Sequence, residues 1–332
     1  MPKHSITDKS TPKQRLDAYR NAWRTGEMPC PSCGKDIGLN DLPQMQLGEC
    51  PHCHQTLFMP RRLGCYYLYE PCGGGGMGSV YKAVSVKYPG YTLAVKVLAR
   101  KELSNPGNIR ALINEAVSSE NFGGNEFVAS CLDHGHSEGE YYTVMPFISG
   151  ERLDKRIERL TRLPVDQVLR MTLHVLAAEQ HIYSNGYLFR DMKPENIIIN
   201  QAEYAVLLDF GLCLPLEQAR HPDSDFISGS PYYMPPERLL GQPEDANSEI
   251  YSIGMVMYHA MTGQTYYDAN GLNELAQRHV SKMQLSSAAK MEVLPAPVAE
   301  LMARMIRQDP AERPQTFEEV FQSIQGILPT LG

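Results

Sequence analysis

The residues with the clearest chemical potential lie in one stretch, Phe189 to Asn196, and in an Asp-Phe-Gly motif that follows it. Within that stretch, Asp191 supplies a proton acceptor, Lys193 a cation and Asn196 an amide that can bind a metal ion. Phosphoryl transfer needs such a set, because the acceptor hydroxyl must be oriented, the phosphate charge neutralised and a divalent ion held. Asp209, the first residue of the Asp-Phe-Gly motif, offers a second magnesium ligand. The spacing therefore predicts phosphoryl transfer.

Composition limits the class of protein in which this chemistry takes place. The chain has 332 residues, 42% of them hydrophobic, and a formal net charge of -7. It is long enough for a two-lobed enzyme with a small additional module. Its acidity gives no reason to expect binding to nucleic acid or to anionic membranes. Residues 1–8 lack the apolar core of a secretion signal, and no later run is long enough to span a bilayer, so we expect a cytoplasmic protein.

Two Cys-x-x-Cys pairs near the N-terminus form a second group of chemically active residues: Cys30 with Cys33, and Cys50 with Cys53. Sixteen residues separate the inner cysteines, an interval in the range of a four-cysteine zinc site. Four thiolates leave no open position for water, so we expect structural rather than catalytic Zn²⁺. The segment resembles a zinc ribbon. Metal-free reduced cysteines, and His52 or His54 in place of one cysteine, are the alternatives.

A helix is predicted before this ribbon. Ser10 or Thr11 can cap it and Gly26 can end it. An apolar stripe that includes Tyr19 and Trp23 needs a partner, and we expect it to pack on the next module. A docking peptide for another protein is the alternative use of the stripe. The ribbon itself is expected to serve structure or protein docking rather than nucleic-acid binding, because the chain is acidic.

A glycine-rich segment and a strand with a single lysine follow the ribbon. Gly73, Gly75 and Gly78 fit the pattern G-x-G-x-x-G, and Val80 follows two residues later. The residues after the glycines alternate like a strand, whereas a helix follows the glycines of dinucleotide-binding folds. Lys96 lies among apolar residues in the sequence Leu-Ala-Val-Lys-Val, so a buried strand here requires an anionic partner for it.

Taken in order, these motifs resemble those of the protein serine/threonine kinases, of the bacterial type similar to the eukaryotic enzymes. The resemblance implies an α+β, bilobal fold with a kinase domain over 66–327, divided into a small β-rich lobe (66–145) and a large α-helical lobe (149–327). A helix within 1–27 and the zinc ribbon within 28–62 precede it. The implied activity is transfer of the γ-phosphoryl group of ATP to serine or threonine hydroxyls of a protein substrate, with Mg²⁺.

The resemblance also assigns roles to the matching residues. The catalytic set that it implies is Asp191, Lys193, Lys96 and Glu115. Lys96 would bind the ATP phosphates and Glu115 would pair with it, while Asn196 and Asp209 would hold Mg²⁺. The implied nucleotide contacts are Cys72, Gly73, Gly74, Gly75, Gly76, Met77, Gly78, Ser79, Val80, Ala94, Lys96, Met145 and Phe147.

Two further pairs have structural and regulatory roles in the family. Glu237 and Arg313 match a buried ion pair, in which either charge left alone would be costly. Arg190 can pair with a phosphate on the activation segment, which runs over 212–233. Ser228 is the preferred regulatory site within that segment. An unmodified, solvated serine is the alternative.

Three positions depart from the family pattern. Phe189 stands for a histidine, Pro235 for an alanine, and Glu249 for an aspartate that supports the catalytic loop from below. We expect Phe189 to keep its packing and lose a polar tether, and the longer Glu249 to shift the loop slightly. A pseudokinase scaffold that binds nucleotide and recruits partners is therefore one alternative function. A small-molecule phosphotransferase of related fold is the other.

Overall fold

The computed structural model describes residues 10–75, 78–221, 229–267, 272–280 and 291–331. Gly76, Met77 and Ser228, which the sequence analysis singles out, lie outside the described residues. The chain divides into two compact units. We call Met1–Ala116 with Cys131–Phe147 the β-rich unit, and Val117–Ser130 with Ile148–Gly332 the helical unit.

The first helix, α1 (Pro12–Thr25), begins and ends as its sequence predicts. The Thr11 hydroxyl accepts a hydrogen bond from the Gln14 backbone amide, and the Thr11 backbone amide donates to Oε1 of Gln14. Gly26 ends the helix at a φ of 84°. Trp23 lies edge-on to Tyr67, with ring centroids 5.3 Å apart. Trp23 also contacts the apolar core of the ribbon, whereas Leu16 and Tyr19 pack with Tyr67 and Val84. The apolar stripe therefore packs partly on the module that follows, as predicted, and partly on the main sheet of the β-rich unit.

Two short hairpins make up the ribbon. Strand β1 (Glu27–Pro29) pairs with β2 (Asp36–Gly38), and β3 (Leu47–Glu49) pairs with β4 (Thr56–Phe58), both antiparallel. Each hairpin turn carries one Cys-x-x-Cys pair. A small apolar core lies between the hairpins and α1: Ala22, Met28, Ile37, Leu39, Leu57 and Met59, with Cys30 and Cys50.

Six antiparallel strands form the main sheet of the β-rich unit: β5 (Arg61–Leu63), β6 (Tyr66–Gly75), β7 (Gly78–Ser85), β8 (Leu93–Leu98), β9 (Asp133–Ser137) and β10 (Glu140–Pro146). Their order is β5-β6-β7-β8-β10-β9. The sequence suggests Pro60 to Arg62 as the joint between the ribbon and the kinase domain, but Arg61 and Arg62 lie with Leu63 in an edge strand of this sheet. Helix α2 (Pro106–Glu120) follows β8 in the chain.

The ribbon packs on one face of this sheet. Met45, in the loop before β3, contacts the apolar core that Leu63, Tyr66 and Val97 help to form. Phe58 of β4 stacks on Tyr81 of β7, with ring centroids 6.2 Å apart. Side chains of the ribbon thus cover apolar surface of the sheet, which links the folding of the two parts.

The helical unit consists of two small sheets and a group of packed helices. Its strands are β11 (Gly150–Arg152), β12 (Tyr187–Leu188), β13 (Ile197–Asn200), β14 (Ala205–Leu207) and β15 (Leu214–Pro215), paired in the orders β11-β13-β14 and β12-β15. Its described helices are α3 (Leu153–Leu160), α4 (Val165–Ser184), α5 (Leu216–Arg220), α6 (Pro236–Leu239), α7 (Ala246–Thr262), α8 (Leu272–Val280), α9 (Ala296–Met305) and α10 (Phe317–Ile327).

Helices α4 and α7 form the centre of the helical unit. Helix α7 is apolar on nearly all sides, and its residues from Glu249 to Tyr258 are all buried. Helices α9 and α10 pack around it and contribute Leu301 and Ile324 to one continuous core. None of the helices within the described residues is both long enough and apolar enough to cross a membrane.

Candidate active site and zinc site

The catalytic stretch of the helical unit is a loop between two short strands. It leaves β12 at Leu188 and ends in a 3₁₀ turn, Pro194–Asn196, directly before β13. The amide of Leu208 donates to the Asn196 carbonyl over 2.9 Å, which holds the chain after β14 beside this loop. The two sequence motifs singled out for chemistry, separated by twelve residues, are therefore neighbours in space.

Asp191 lies at the centre of the loop, and its two carboxylate oxygens differ. Oδ2 accepts hydrogen bonds from Lys193 Nζ at 2.7 Å and from Asn196 Nδ2 at 2.7 Å. Oδ1 is buried and has no hydrogen-bond partner within the described part of the chain. Because a buried acceptor without a partner is costly, this oxygen is suited to a donor that arrives with a ligand.

Asp209 and Phe210 follow β14 and differ in exposure. Asp209 is exposed and has a φ of 62°, in the left-handed region that few residues other than glycine adopt. Phe210 is buried, 5.6 Å from Phe189 and 5.5 Å from Phe122 between ring centroids. The expectation that Phe189 keeps the packing role of the histidine it replaces is confirmed.

Glu249 supports the catalytic loop although it replaces the shorter aspartate. It is fully buried in α7, and its Oε1 accepts a hydrogen bond from the Arg190 amide at 3.0 Å. Burial raises the pKa of the Glu249 carboxyl to about 7, against the opposing attraction of Arg238. The extra methylene therefore does not remove the contact that holds the loop from below.

Two residues of this site had no motif to identify them in the sequence. Arg238 lies in α6 and Glu244 precedes α7; both are buried, and both contact Arg190. No local pattern in the sequence marks either residue as a partner of Arg190. Such charges must be paired to be buried.

In the β-rich unit, Lys96 has the partner that the sequence assigned to it. Its Nζ lies 2.9 Å from Oε1 and 2.8 Å from Oε2 of Glu115, which is buried in α2. Lys96 lies directly opposite Val80 in the β7–β8 ladder, and Ala94 lies two residues before it on the same face. The ion pair predicted from motif order is therefore present, and it lies on the face that carries Val80 and Ala94.

The described glycines of the glycine-rich segment lie at the paired ends of β6 and β7. Gly73 pairs with Val80, Gly74 with Ser79, and Gly75 with Gly78, and Cys72 precedes them at the exposed end of β6. A Cβ on Gly78 would lie 2.4 Å from the carbonyl oxygen of Val97, so only glycine fits there. The strand β7 follows the glycines, as the alternating sequence predicts.

The end of β10 carries the residues assigned to the adenine pocket. Met145 pairs with Ala94 across the ladder, and Pro146 pairs with Leu93. The Phe147 amide donates to the Thr92 carbonyl over 3.1 Å. That donor is thus occupied, and Lys82 Nζ lies 4.8 Å from the centroid of the Phe147 ring. The nucleotide contact that the resemblance implies for Phe147 stays a prediction.

The ion pair between Glu237 and Arg313 is present and buried. Arg313 Nη1 lies 2.6 Å from Oε1 of Glu237 and Nη2 lies 2.9 Å from Oε2, a two-bond arrangement typical of arginine with carboxylates. The same guanidinium also donates to the carbonyls of Arg307, Asn247 and Gln308. The predicted structural pair therefore joins the chain after α9 to α6.

The four cysteines of the ribbon converge on one point. Their sulfur atoms all lie within 4.8 Å of one another, with Cys30 and Cys53 3.8 Å apart and Cys33 and Cys50 4.0 Å apart. A tetrahedral ion with bonds of about 2.3 Å to sulfur requires separations of roughly 3.8 Å, so the donor set fits zinc. Within the described ranges, no histidine joins this group.

Comparison with known proteins agrees with these sites. The model of the protein kinase domain family matches residues 66–324. The chain is 27% identical over 262 residues to the serine/threonine-protein kinase PrkC of Bacillus subtilis, covering 79% of this chain and 40% of that protein. It is 27% identical over 262 residues to a probable serine/threonine-protein kinase of Clostridium perfringens, CPE1738, covering 79% and 38%. It is 31% identical over 255 residues to the serine/threonine-protein kinase PknA of Mycobacterium tuberculosis, covering 75% and 58%.

The chain therefore belongs to the protein kinase family, and the relatives it resembles are bacterial serine/threonine kinases. It spans less than two thirds of the length of each of these three relatives. The α+β fold class is confirmed, with a β-rich sheet, a helical unit and a four-cysteine cluster ahead of the matched region. The implied nucleotide contacts and the regulatory site stay predictions.

Proposed function

We propose that this protein is an ATP-dependent protein serine/threonine kinase, which transfers the γ-phosphoryl group of ATP to serine or threonine hydroxyls. The observation that carries the proposal is the arrangement of Asp191. Its Oδ2 is fixed by Lys193 and Asn196, while its buried Oδ1 has no partner within the described residues. A substrate hydroxyl that donates to Oδ1 would be oriented for attack, and Oδ1 would receive its proton.

The other groups of the loop fit the remaining needs of this reaction. Lys193 is 2.7 Å from Asp191, so its charge lies where negative charge develops on the transferred group. Asn196 and Asp209 would hold Mg²⁺, which would supply neutralisation of the phosphate oxygens. Lys96, held by Glu115, would bind the ATP phosphates. The backbone amides of Gly73, Gly74, Gly75 and Gly78 would cover them.

The proposal also includes a structural Zn²⁺ ion in the ribbon and a protein partner that binds the surface of the ribbon. The four thiolates would hold Zn²⁺ and position the loop that carries Met45 on the sheet. A cytoplasmic location, the absence of nucleic-acid binding and the identity of any ribbon partner stay predictions.

The test compares phosphate transfer by the wild type, Asp191→Ala and Asp166→Ala, with ATP, Mg²⁺ and generic peptides. Asp166 is an exposed aspartate in the first turn of α4 and serves as the matched control. Loss of the positioned acceptor is expected to lower kcat by about 10²–10⁴-fold, while the control stays within about two-fold of wild type.

Other results point to the alternatives. ATP binding by the wild type without transfer to itself or to peptides would favour the pseudokinase scaffold. Faster transfer to small alcohols than to peptides would favour a small-molecule phosphotransferase. Equal rates for the wild type and Asp191→Ala would refute the role of Asp191.

A further inference from the structure

The backbone of Arg190 is held in a strained conformation by two buried side chains. Arg190 has a φ of 67°, unusual for any residue but glycine, and it directly precedes Asp191. Its amide donates to Glu249 over 3.0 Å. Its carbonyl accepts a hydrogen bond from Arg238 Nη1. Both polar backbone groups of the residue that orients the Asp191 peptide are therefore fixed from within the helical unit.

The side chain of Arg190 is bound by the same cluster. Its Nε and Nη2 lie 3.1 and 2.8 Å from Oε1 of Glu244. The second oxygen of Glu244 accepts from Arg238, at 2.7 Å from Nε and 2.6 Å from Nη2. Glu244 therefore bridges two arginines. It does so in the interior, since its side chain and that of Arg238 are each only 4% exposed.

Both arginines of this cluster are already paired with carboxylates. Two guanidiniums, of Arg190 and Arg238, face two carboxylates, of Glu244 and Glu249. The third acid, Glu179, is buried, and desolvation together with the nearby Glu249 raises its pKa well above the ordinary value, which favours its uncharged form. A phosphate brought to Arg190 would add about two negative charges beside Glu244, and an excess of buried charge is strongly unfavourable.

We propose that Glu244 and Arg238 are positioning residues for Asp191, and that Glu244 takes the place of a phosphate at Arg190, so that transfer does not require a phosphorylated activation segment. The inference rests on the proposed kinase function. It replaces the expectation that Arg190 receives a phosphate from the activation segment.

The described ends of the activation segment agree with this assignment. The Glu244 amide donates to the carbonyl of Ala219 over 3.0 Å, which ties the cluster to α5 near the start of the segment. Near its other end, a Cβ on Gly229 would lie 3.5 Å from Arg238 Nη1 and 3.8 Å from the Arg190 carbonyl. Glu244 and Arg238 therefore contact both the catalytic loop and the two described ends of the segment.

The experiment has one arm without mutation and one with a matched pair of variants. Wild type is treated with a broad phosphatase until intact mass shows no phosphate, and its kcat is expected to stay within about two-fold of the untreated protein. Glu244→Gln, which keeps the size but removes the charge, is expected to lower kcat at least about tenfold while KM for ATP stays within about two-fold. Glu203→Gln breaks an exposed arginine–glutamate pair of the same type, at 3.2 and 2.6 Å, and is expected to match wild type.

Hydrogen–deuterium exchange separates this inference from the proposed activity. Peptides that contain the Arg190 amide are expected to exchange faster in Glu244→Gln than in Glu203→Gln, whether or not the chain transfers phosphate. A fall of about tenfold or more in kcat after phosphatase treatment would overturn the inference, as would a Glu244→Gln variant with wild-type kcat and exchange. If Glu244→Gln does not fold, Glu244→Asp, which keeps the charge, is expected to show a partial loss of kcat, and the phosphatase arm stands unaltered.

Discussion

The zinc ribbon and the catalytic part of the helical unit use buried polar groups in opposite ways. The ribbon has a core of only a few apolar side chains from its two hairpins and α1, and the four thiolates converge between the hairpins. The helical unit has a continuous core through α4, α7, α9 and α10, large enough to enclose several charged groups. In the ribbon the cysteines are therefore needed to stabilise the fold. In the helical unit the large apolar core is stable enough to hold the charged groups around Asp191 in place.

Removal of zinc is expected to give the largest effect in either region. A structural zinc site of this type contributes about 10–16 kcal/mol of binding free energy, more than a core of this size can supply. Purified protein is expected to contain about one zinc per chain, and chelation is expected to abolish exchange protection over residues 27–59. The measurements are metal analysis and hydrogen exchange by mass spectrometry.

Cys213→Ala is the control for zinc content, because Cys213 lies in the helical unit and outside the four-cysteine group. It is expected to retain the ion, whereas Cys50→Ala is expected to lose it. Less than about half an equivalent of zinc in protein purified without chelator would contradict the prediction, since a four-cysteine site should retain its ion.

Breaking the buried pair of Arg313 and Glu237 is expected to give the next largest effect. Arg313→Met leaves Glu237 buried without its partner, so the free energy of unfolding should fall by about 3–5 kcal/mol while the unit still folds. Arg159→Met, which removes an exposed pair with Glu151, should cost less than about 1 kcal/mol. Urea unfolding of both variants measures the difference.

A double variant, Arg313→Met with Glu237→Gln, separates the cost of an unpaired buried charge from the cost of lost packing. It removes the stranded carboxylate, so it should be more stable than Arg313→Met alone if an unpaired charge is the main cost. A double variant as unstable as the sum of the two single changes would instead assign the loss to packing and to the carbonyl contacts of Arg313.

These contrasts show why some of the site could be predicted from the sequence. Catalytic and metal-binding residues are tied to fixed spacing, because one turn of chain must present them together, as in the loop around Asp191 and the two cysteine turns. The pair of Lys96 and Glu115 could be predicted for a related reason. A lone lysine in an apolar strand needs an acid, and motif order indicated which one.

Other parts could not be predicted, because they depend on contacts without a local pattern. Arg238 and Glu244 meet Arg190 across about fifty residues of chain, and nothing in their neighbourhoods marks them as partners. Strand β5 is a similar case. Two arginines after a proline suggest a linker, and only pairing with Tyr66 to Leu68 makes them an edge strand.

The smallest of these effects is expected from a change of pH, which alters the free energy of unfolding by titrating Glu249, the buried acid that supports the catalytic loop. Glu249 is surrounded by Arg190, Arg238, Glu244 and Glu179, and burial raises its pKa from the ordinary 4.5 to about 7. Between those values the folded protein holds a proton that the unfolded chain has released, so the free energy of unfolding falls as pH rises from about 4.5 to about 7 and levels off above. The loss attributable to this group should be on the order of 1–3 kcal/mol.

Glu249→Gln removes this titration but keeps an oxygen that can accept from the Arg190 amide, so its unfolding free energy should vary less between pH 5 and 8 than that of the wild type. Glu318→Gln, at an exposed position in α10, should keep the wild-type slope. A wild-type protein more stable at pH 8 than at pH 5, with the same slope in Glu249→Gln, would show that Glu249 is ionised throughout this range. The cluster around Arg190 would then hold two ionised carboxylates against its two arginines throughout this range, and a phosphate would bring an excess of negative charge.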